Sequence, residues 1–196
     1  MPNFAQKILT PPPGSINVGR QAARVSTMIE MLGSPQMPLN QHCQNSLTST
    51  RVRALMTTRN AGQFSFTGIK PFVDLLARVL ARVQAGNPEL FSALGTAGVL
   101  CVRNVKGSTT LPSNHGWGTA IDISIKNPLT RQLELDLPLS NGVVQLGCLE
   151  LSKFFDQDGA ATGELCFWGA GFSREDGMHF EVSDELIHLW KQQGKI

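Results

Sequence analysis

Ser113-Asn114-His115-Gly116-Trp117-Gly118-Thr119-Ala120-Ile121-Asp122-Ile123 decides how this chain is read, together with Asp176-Gly177-Met178-His179-Phe180-Glu181 further along. In the first stretch Ala120, Asp122 and Ser124 fall on one face of an extended segment, and Ile121, Ile123 and Ile125 on the other. In the second, His179 and Glu181 share a face opposite Met178, Phe180 and Val182. A two-residue period with one apolar side predicts half-buried strands that lift polar groups out of a core. If the strands are neighbours, Asp122 and His179 point the same way, and His115 reaches over from the glycine-rich turn before the first strand. Two imidazoles and a carboxylate form a three-ligand set of the kind that binds zinc and leaves a fourth position for water. A lone His or Asp is most often a satisfied core, surface or turn residue. The spacing and alternation of the three together favour the metal reading.

Ser113-x-His115 followed by Gly118-x-Ala120-x-Asp122 resembles the SxHxxGxAxD signature of the D-Ala-D-Ala carboxypeptidase family of zinc peptidases, which also includes L-alanyl-D-glutamate endolysins. Asp176-Gly177-Met178-His179 resembles that family's second signature, an acid three before a histidine, and Trp168-Gly169 its Trp-Gly element. The resemblance spans roughly residues 65 to 182. It implies Zn2+ held by His115, Asp122 and His179, with Asp176 as the acid that moves the proton. Three residues from His179, Asp176 cannot share its strand face and must come from the turn before it; Glu175 is the neighbouring alternative. The resemblance further implies that Arg103, shortly before the first signature, contacts the substrate carbonyl, and that Ser113 and Glu181 support ligands or position substrate. Trp117 and Trp168 suit a cleft wall or core packing equally.

Hydrophobic residues at 41% and charged ones at 16% of 196 residues describe a soluble globular chain with a full-sized core. A net charge of +2, with scattered basic residues, excludes nucleic acid as an expected partner. No segment approaches the apolar length of a membrane span, and Met1–Lys7 lacks a signal-peptide pattern, so no membrane insertion and synthesis in the cytoplasm are expected. Cys43, Cys101, Cys148 and Cys166 form no CxxC pair. A free buried thiol is the default expectation for Cys101 and Cys148, and the redox state of all four stays open.

Residues 1–60 read as an N-terminal extension with one helix, Val18 to Leu32, and residues 61–196 as the zinc peptidase domain. Residues 36 to 66 show no clear period. Pro71 opens a strong helix closing at Gly86, Asn87-Pro88 caps a short second one, and Gly98 to Val105 reads as a strand. Residues 127 to 142 read as a loop or hairpin over the site. A helix around 143 to 156 is expected to break at Asp156-Gln157-Asp158-Gly159, and a last helix is expected to start at Ser183. The fold class is α+β, a small mainly antiparallel sheet carrying the zinc site and flanked by helices.

The function that follows is zinc-dependent hydrolysis of a peptide bond in peptidoglycan stem peptides, of D-Ala-D-Ala carboxypeptidase or L-Ala-D-Glu endopeptidase type. Lacking an evident export signal, the chain is expected to be a phage-type endolysin or exported wall-degrading effector. It would act on the bacterial cell wall in the periplasm as a monomer, with a delivery partner or immunity protein. Two alternatives stand: a non-catalytic zinc-binding interaction module, and a docking component of a phage tail or secretion machine.

Overall fold

A computed structural model describes residues 2–35, 39–44, 47, 49–136 and 142–196. In chain order the elements are β1 (Lys7–Leu9), α1 (Val25–Leu32), α2 (Thr50–Leu55), β2 (Met56–Ala61), β3 (Phe64–Ile69), α3 (Lys70–Gly86), α4 (Pro88–Ala93) and β4 (Leu94–Gly98). Then follow β5 (Ala120–Lys126), β6 (Leu133–Leu135), β7 (Val143–Gln145), α5 (Leu146–Thr162), β8 (Cys166–Trp168), β9 (His179–Val182) and α6 (Asp184–Gln192). This is the expected α+β fold. The principal sheet runs β4-β5-β9-β8, with β6 on the free end of β5, and two further strand pairs, β1-β7 and β2-β3, stand apart. The described pairings are antiparallel. No helix among the described residues is long and apolar enough to cross a membrane.

The sheet's core side buries Ile121, Ile123, Ile125, Phe180 and Val182, on which Phe155 of α5 stacks through Phe180. The apolar stripe of α3, including Phe72, Leu76, Val79 and Val83, packs into the same core. Both tryptophans in question belong to this interior. Trp117 is fully buried and donates its indole N–H to the Gly33 carbonyl, while Trp168 stacks on Phe180 and donates to the Gly177 carbonyl. Gly118 has φ +64, and a Cβ there would lie 2.6 Å from the Cα of Gly68. A tight turn and a close approach of two backbones therefore both require glycine at this point.

Several local expectations give way to tertiary contacts. The first helix starts at Val25 rather than Val18, because residues 21–24 run extended against the start of α6: Asp184 N–H donates to the Gln21 carbonyl, and Arg24 N–H to the Asp184 carboxylate. The stretch expected to be irregular holds α2, β2 and β3. In β3 Phe64 and Phe66 are buried and Ser65 and Thr67 exposed, a period-two signal present in the sequence but diluted by its polar partner strand. The strand expected at 98–105 ends instead at Gly98, where φ of +117 and a shifted register break the pairing of β4 with β5. Residues 143–145 form β7, not helix. Helix α5 passes through Asp158-Gly159 to Thr162, because Asp158 is buried in ion pairs with Arg78 and Arg82. At Gly159 a Cβ would meet Leu165 at 2.6 Å, so this glycine serves packing rather than chain reversal. Of the loop or hairpin expected at 127–142, the described part holds β6 paired with β5; residues 137–141 lie outside the described residues.

Of the two cysteines expected as free buried thiols, Cys148 is one and Cys101 is not. Cys43 and Cys101 are joined in a disulfide with Cα atoms 5.0 Å apart, while Cys148 and Cys166 are free and buried. The bond fastens residues 40–44, which also pair with the 102–104 backbone, onto the run leading to His115. With a sequence separation of 58, loop-closure entropy assigns this crosslink about 4 kcal/mol. Cys43→Ser/Cys101→Ser should therefore lower the urea midpoint by the equivalent of roughly 3–4 kcal/mol, with a somewhat larger m-value because the released denatured chain expands. An unchanged midpoint would show that the bond does not form in solution.

Candidate metal centre

Strand register brings the site together. Asp122 of β5 pairs directly with His179 of β9, flanked by Ile121↔Phe180 and Ala120↔Glu181. Directly opposed residues on antiparallel strands hold their Cβ atoms about 4.5–5.5 Å apart on one face. His115 comes from the 3-10 turn Asn114–Trp117, whose C-cap is Gly118 in the left-handed conformation. This turn seats the imidazole against the strand pair. His115 Nε2 lies 3.2 Å from Asp122 Oδ1, Asp122 Oδ1 lies 3.0 Å from His179 Nδ1, and the two ring nitrogens are 3.3 Å apart. Zinc bonded to N and O donors at ~2.0–2.2 Å in a tetrahedron separates its ligand atoms by roughly 3.3–3.6 Å. The observed triangle is slightly tighter than that and needs little opening to accept an ion.

Each imidazole has an outer partner that fixes its donor atom. His115 Nδ1 lies 2.8 Å from the Val99 carbonyl, so Nδ1 carries the proton and Nε2 presents its lone pair to the triangle. His179 Nε2 lies 2.9 Å from Glu181 Oε2, which leaves Nδ1 as the ligand atom. Glu181 is itself held by the Asn114 side-chain amide at 2.8 Å, and the same amide reaches the Ala23 carbonyl at 3.2 Å. Asn114 is a contributor that motif reading missed; its place between Ser113 and His115 was the available signal. Phe172, with its ring centroid 5.8 Å from that of His179, forms one wall beside the site.

The electrostatics suit a cation. Burial pushes the Asp122 carboxyl up, but hydrogen bonds and charge from His115 and His179 outweigh it and hold the group far below the usual carboxylate range. Burial disfavours the His179 imidazolium, yet Asp122 and Glu181 on either side raise its pKa well above the ordinary value. A metal entering the triangle must displace that proton, so affinity should fall as pH is lowered. For Asp176, burial comes first and pushes the carboxyl up to about 6; the positive influence of His179 opposes this, and the charge of Asp122 adds to it.

Asp176 stands where a turn residue was expected. Its N–H donates to the Gly169 carbonyl, its carbonyl accepts from His179 N–H, and its buried Oδ1 has no hydrogen-bond partner. A buried carboxylate oxygen without a partner, beside three convergent donors, calls for a water or substrate proton. Glu175 does not compete for this position, since its carboxylate accepts from Gly142 N–H at 3.0 Å. Thus His115, Asp122, His179, Glu181 and Asp176 are assembled at one place. The Arg103 guanidinium instead donates to the adjoining Asn104 carbonyl and makes no described contact to the metal group. Ser113 joins through its backbone, donating to the Arg103 carbonyl and accepting from Gly116 N–H; its hydroxyl does not cap the turn.

Two outcomes are expected. Glu181→Gln and Asn114→Leu should each weaken zinc binding roughly 10–100-fold by titration calorimetry, without touching a ligand atom; unchanged affinity would remove the outer chain from the site's function. For Asp176, a folded pKa above the unfolded one means the native state binds more protons between about pH 4 and 6, so stability falls with rising pH across that window. In chelator-treated protein Asp176→Asn should therefore be more stable than wild type above pH 6, by up to about 3 kcal/mol, with the difference vanishing towards pH 4. A pH-independent difference would show that burial does not perturb this carboxyl.

Comparison with known proteins gives one match. The family model described as D-alanyl-D-alanine carboxypeptidase matches residues 106–182, which include Ser113, His115, Asp122, Asp176, His179 and Glu181 but not Arg103. No curated protein and no solved structure gave a match. His115, Asp122 and His179 are the group among the described residues whose donor atoms could jointly hold a metal ion. A family match enclosing that group suggests a metallopeptidase. Over residues 106–182 the chain is thus similar to the D-alanyl-D-alanine carboxypeptidase family.

Proposed function

We propose that this protein is a zinc-dependent peptidase that hydrolyses a peptide bond in bacterial peptidoglycan stem peptides. The observation that carries the proposal is the unpartnered Oδ1 of Asp176 next to the His115–Asp122–His179 triangle. Zinc bound by the three side chains would supply Lewis acidity, lowering the pKa of a water towards neutrality and polarising the scissile carbonyl. The chain's own residues do the rest. Asp176 accepts the proton of the attacking water and returns it to the departing amine. Its raised pKa suits both directions of that transfer near neutral pH, and a bound cation would draw it back towards the ionised form that must act first. Val99 and Glu181 occupy the outer nitrogens of the two imidazoles, so His115 Nε2 and, once a metal displaces its proton, His179 Nδ1 are the atoms that face the triangle. Arg103 lies on the backbone run paired with Ser113–His115, and we assign it to the substrate carbonyl, where loss of such a donor costs ~10²–10³ in rate.

Action at the cell wall fits the Cys43–Cys101 disulfide, which suits an oxidising compartment such as the periplasm. Within that setting we assign the wall-lytic role of a phage-type endolysin or exported effector, because Met178-His179-Phe180-Glu181 resembles the form of the second signature in the family's endolysin-like branch. The segments before residue 60 pair with the rest of the domain: β1 with β7, Asn17 with the Trp168 backbone, and Gln21–Arg24 with α6. This supports a structural part in the catalytic unit over a separate docking module.

Zinc-loaded protein should release fragments from purified peptidoglycan, while Asp176→Ala keeps its zinc and loses at least about 10²-fold in rate. Mass analysis names the bond: loss of terminal D-Ala means carboxypeptidase, freed stem peptides mean endopeptidase. Zinc binding without release by wild type would favour the non-catalytic module.

A further inference from the structure

A cavity of about 510 Å³ opens between β3, β4 and the turn joining β5 to β6, lined by residues including Ser65, Ser92, Thr96, Lys126, Arg131 and Leu133. It is separate from the metal triangle yet built on the same strand. The Thr96 hydroxyl in its wall donates to the Asp122 carbonyl at 2.9 Å. Lys126 lies on the same face of β5 as Asp122, four residues along, hence about 13 Å away by strand rise. An extended peptide covers that span in roughly four residues.

The charge in this cavity is unbalanced. Lys126 and Arg131 are exposed, and neither has an ion pair or side-chain hydrogen bond among the described residues. This contrasts with Lys7, Arg20, Arg59, Arg78, Arg82 and Lys195, each paired with a carboxylate. The carboxylate adjoining in sequence, Glu134, is occupied by the Asn127 amide at 2.8 Å and the Thr130 hydroxyl at 3.4 Å. Arg131 is also held at φ +61, a conformation that side-chain-bearing residues seldom adopt. Its N–H donates to the Asn127 carbonyl, and Asn127 N–H donates to the Gln132 carbonyl, so the turn keeps it there.

We propose that this cavity is an anion subsite in which Lys126 and Arg131 bind a carboxylate of the substrate peptide, about four residues from the bond that is cut. The proposal rests on the peptidase reading above and adds what selects the substrate: a free carboxylate carried at a distance from the scissile bond. The paired cations and neutral hydroxyls of Ser65 and Ser92 favour a carboxylate over an uncharged or cationic side chain.

The test uses the full zinc-loaded chain and two synthetic stem peptides identical at the scissile bond. One carries a free distal carboxyl, and in the other that carboxyl is amidated. Wild type should show a KM roughly tenfold lower for the free acid, with similar kcat, and Lys126→Ala/Arg131→Ala should erase that preference without altering kcat. Both side chains are exposed, so the double variant should keep its fold, to be checked by circular dichroism and zinc content. An acid-to-amide KM ratio that is the same in wild type and double variant overturns the subsite. If wild type cleaves neither peptide, the peptidase reading fails, and calorimetric titration of the two peptides then decides the subsite alone. Binding of the acid that needs both the free carboxyl and Lys126 and Arg131 sustains it; its absence ends it.

Discussion

The direct pairing of Asp122 with His179 across β5 and β9 is the constraint on which the rest of the site depends. Strand side chains alternate, so a slip of one residue would turn Asp122 into the core and bring Ile121 or Ile123 to the metal face. The register is pinned from the core side, where Ile121 opposes Phe180 and Phe180 is sandwiched between Phe155 and Trp168. It is pinned again at the strand entrance, where Trp168 holds the Gly177 carbonyl and Gly169 comes so close to the Asp176 carbonyl that no Cβ would fit. Apolar packing thus fixes the polar geometry.

Around that pair the polar groups form a closed set. Two carboxylates, Asp122 and Glu181, flank His179, and a third, Asp176, waits beside them with an unsatisfied oxygen. Such a concentration of buried acid is costly unless cations compensate it. A proton on His179 does so in part, and a divalent ion would do so more completely. The outer chain from Glu181 through Asn114 to the Ala23 carbonyl ties a residue from the N-terminal segments to a candidate metal ligand. The disulfide at Cys101 braces the run that carries Val99, the partner of His115.

The site was more legible in the sequence than the fold around it. His115, Asp122 and His179 could be read from alternation and spacing because a strand's face is a local property, set by two-residue periodicity. The strong helix from Pro71 and the Ser183 cap were legible for the same reason, since caps and apolar stripes act within a few residues. Arg103 was carried by resemblance rather than by its own surroundings, and its side chain is engaged with Asn104. The role of Asn114 was not legible, although its place in the motif was, because it lies in reaching Glu181, sixty-seven positions away.

What the sequence alone determined is which residues could serve: two imidazoles and a carboxylate on polar strand faces, and an acid in the turn before the second strand. What only the tertiary structure decided is where chain segments far apart in sequence meet. It joined Cys43 to Cys101 and laid Gln21–Arg24 along α6. It carried α5 through Asp158-Gly159, and it occupied Glu175 while leaving Asp176 with an unpartnered oxygen beside the triangle. The physical reason is common to all four. Local propensity differs between conformations by about 1 kcal/mol per residue or less, and a buried ion pair, a crosslink or a hydrogen bond to a distant partner outweighs it.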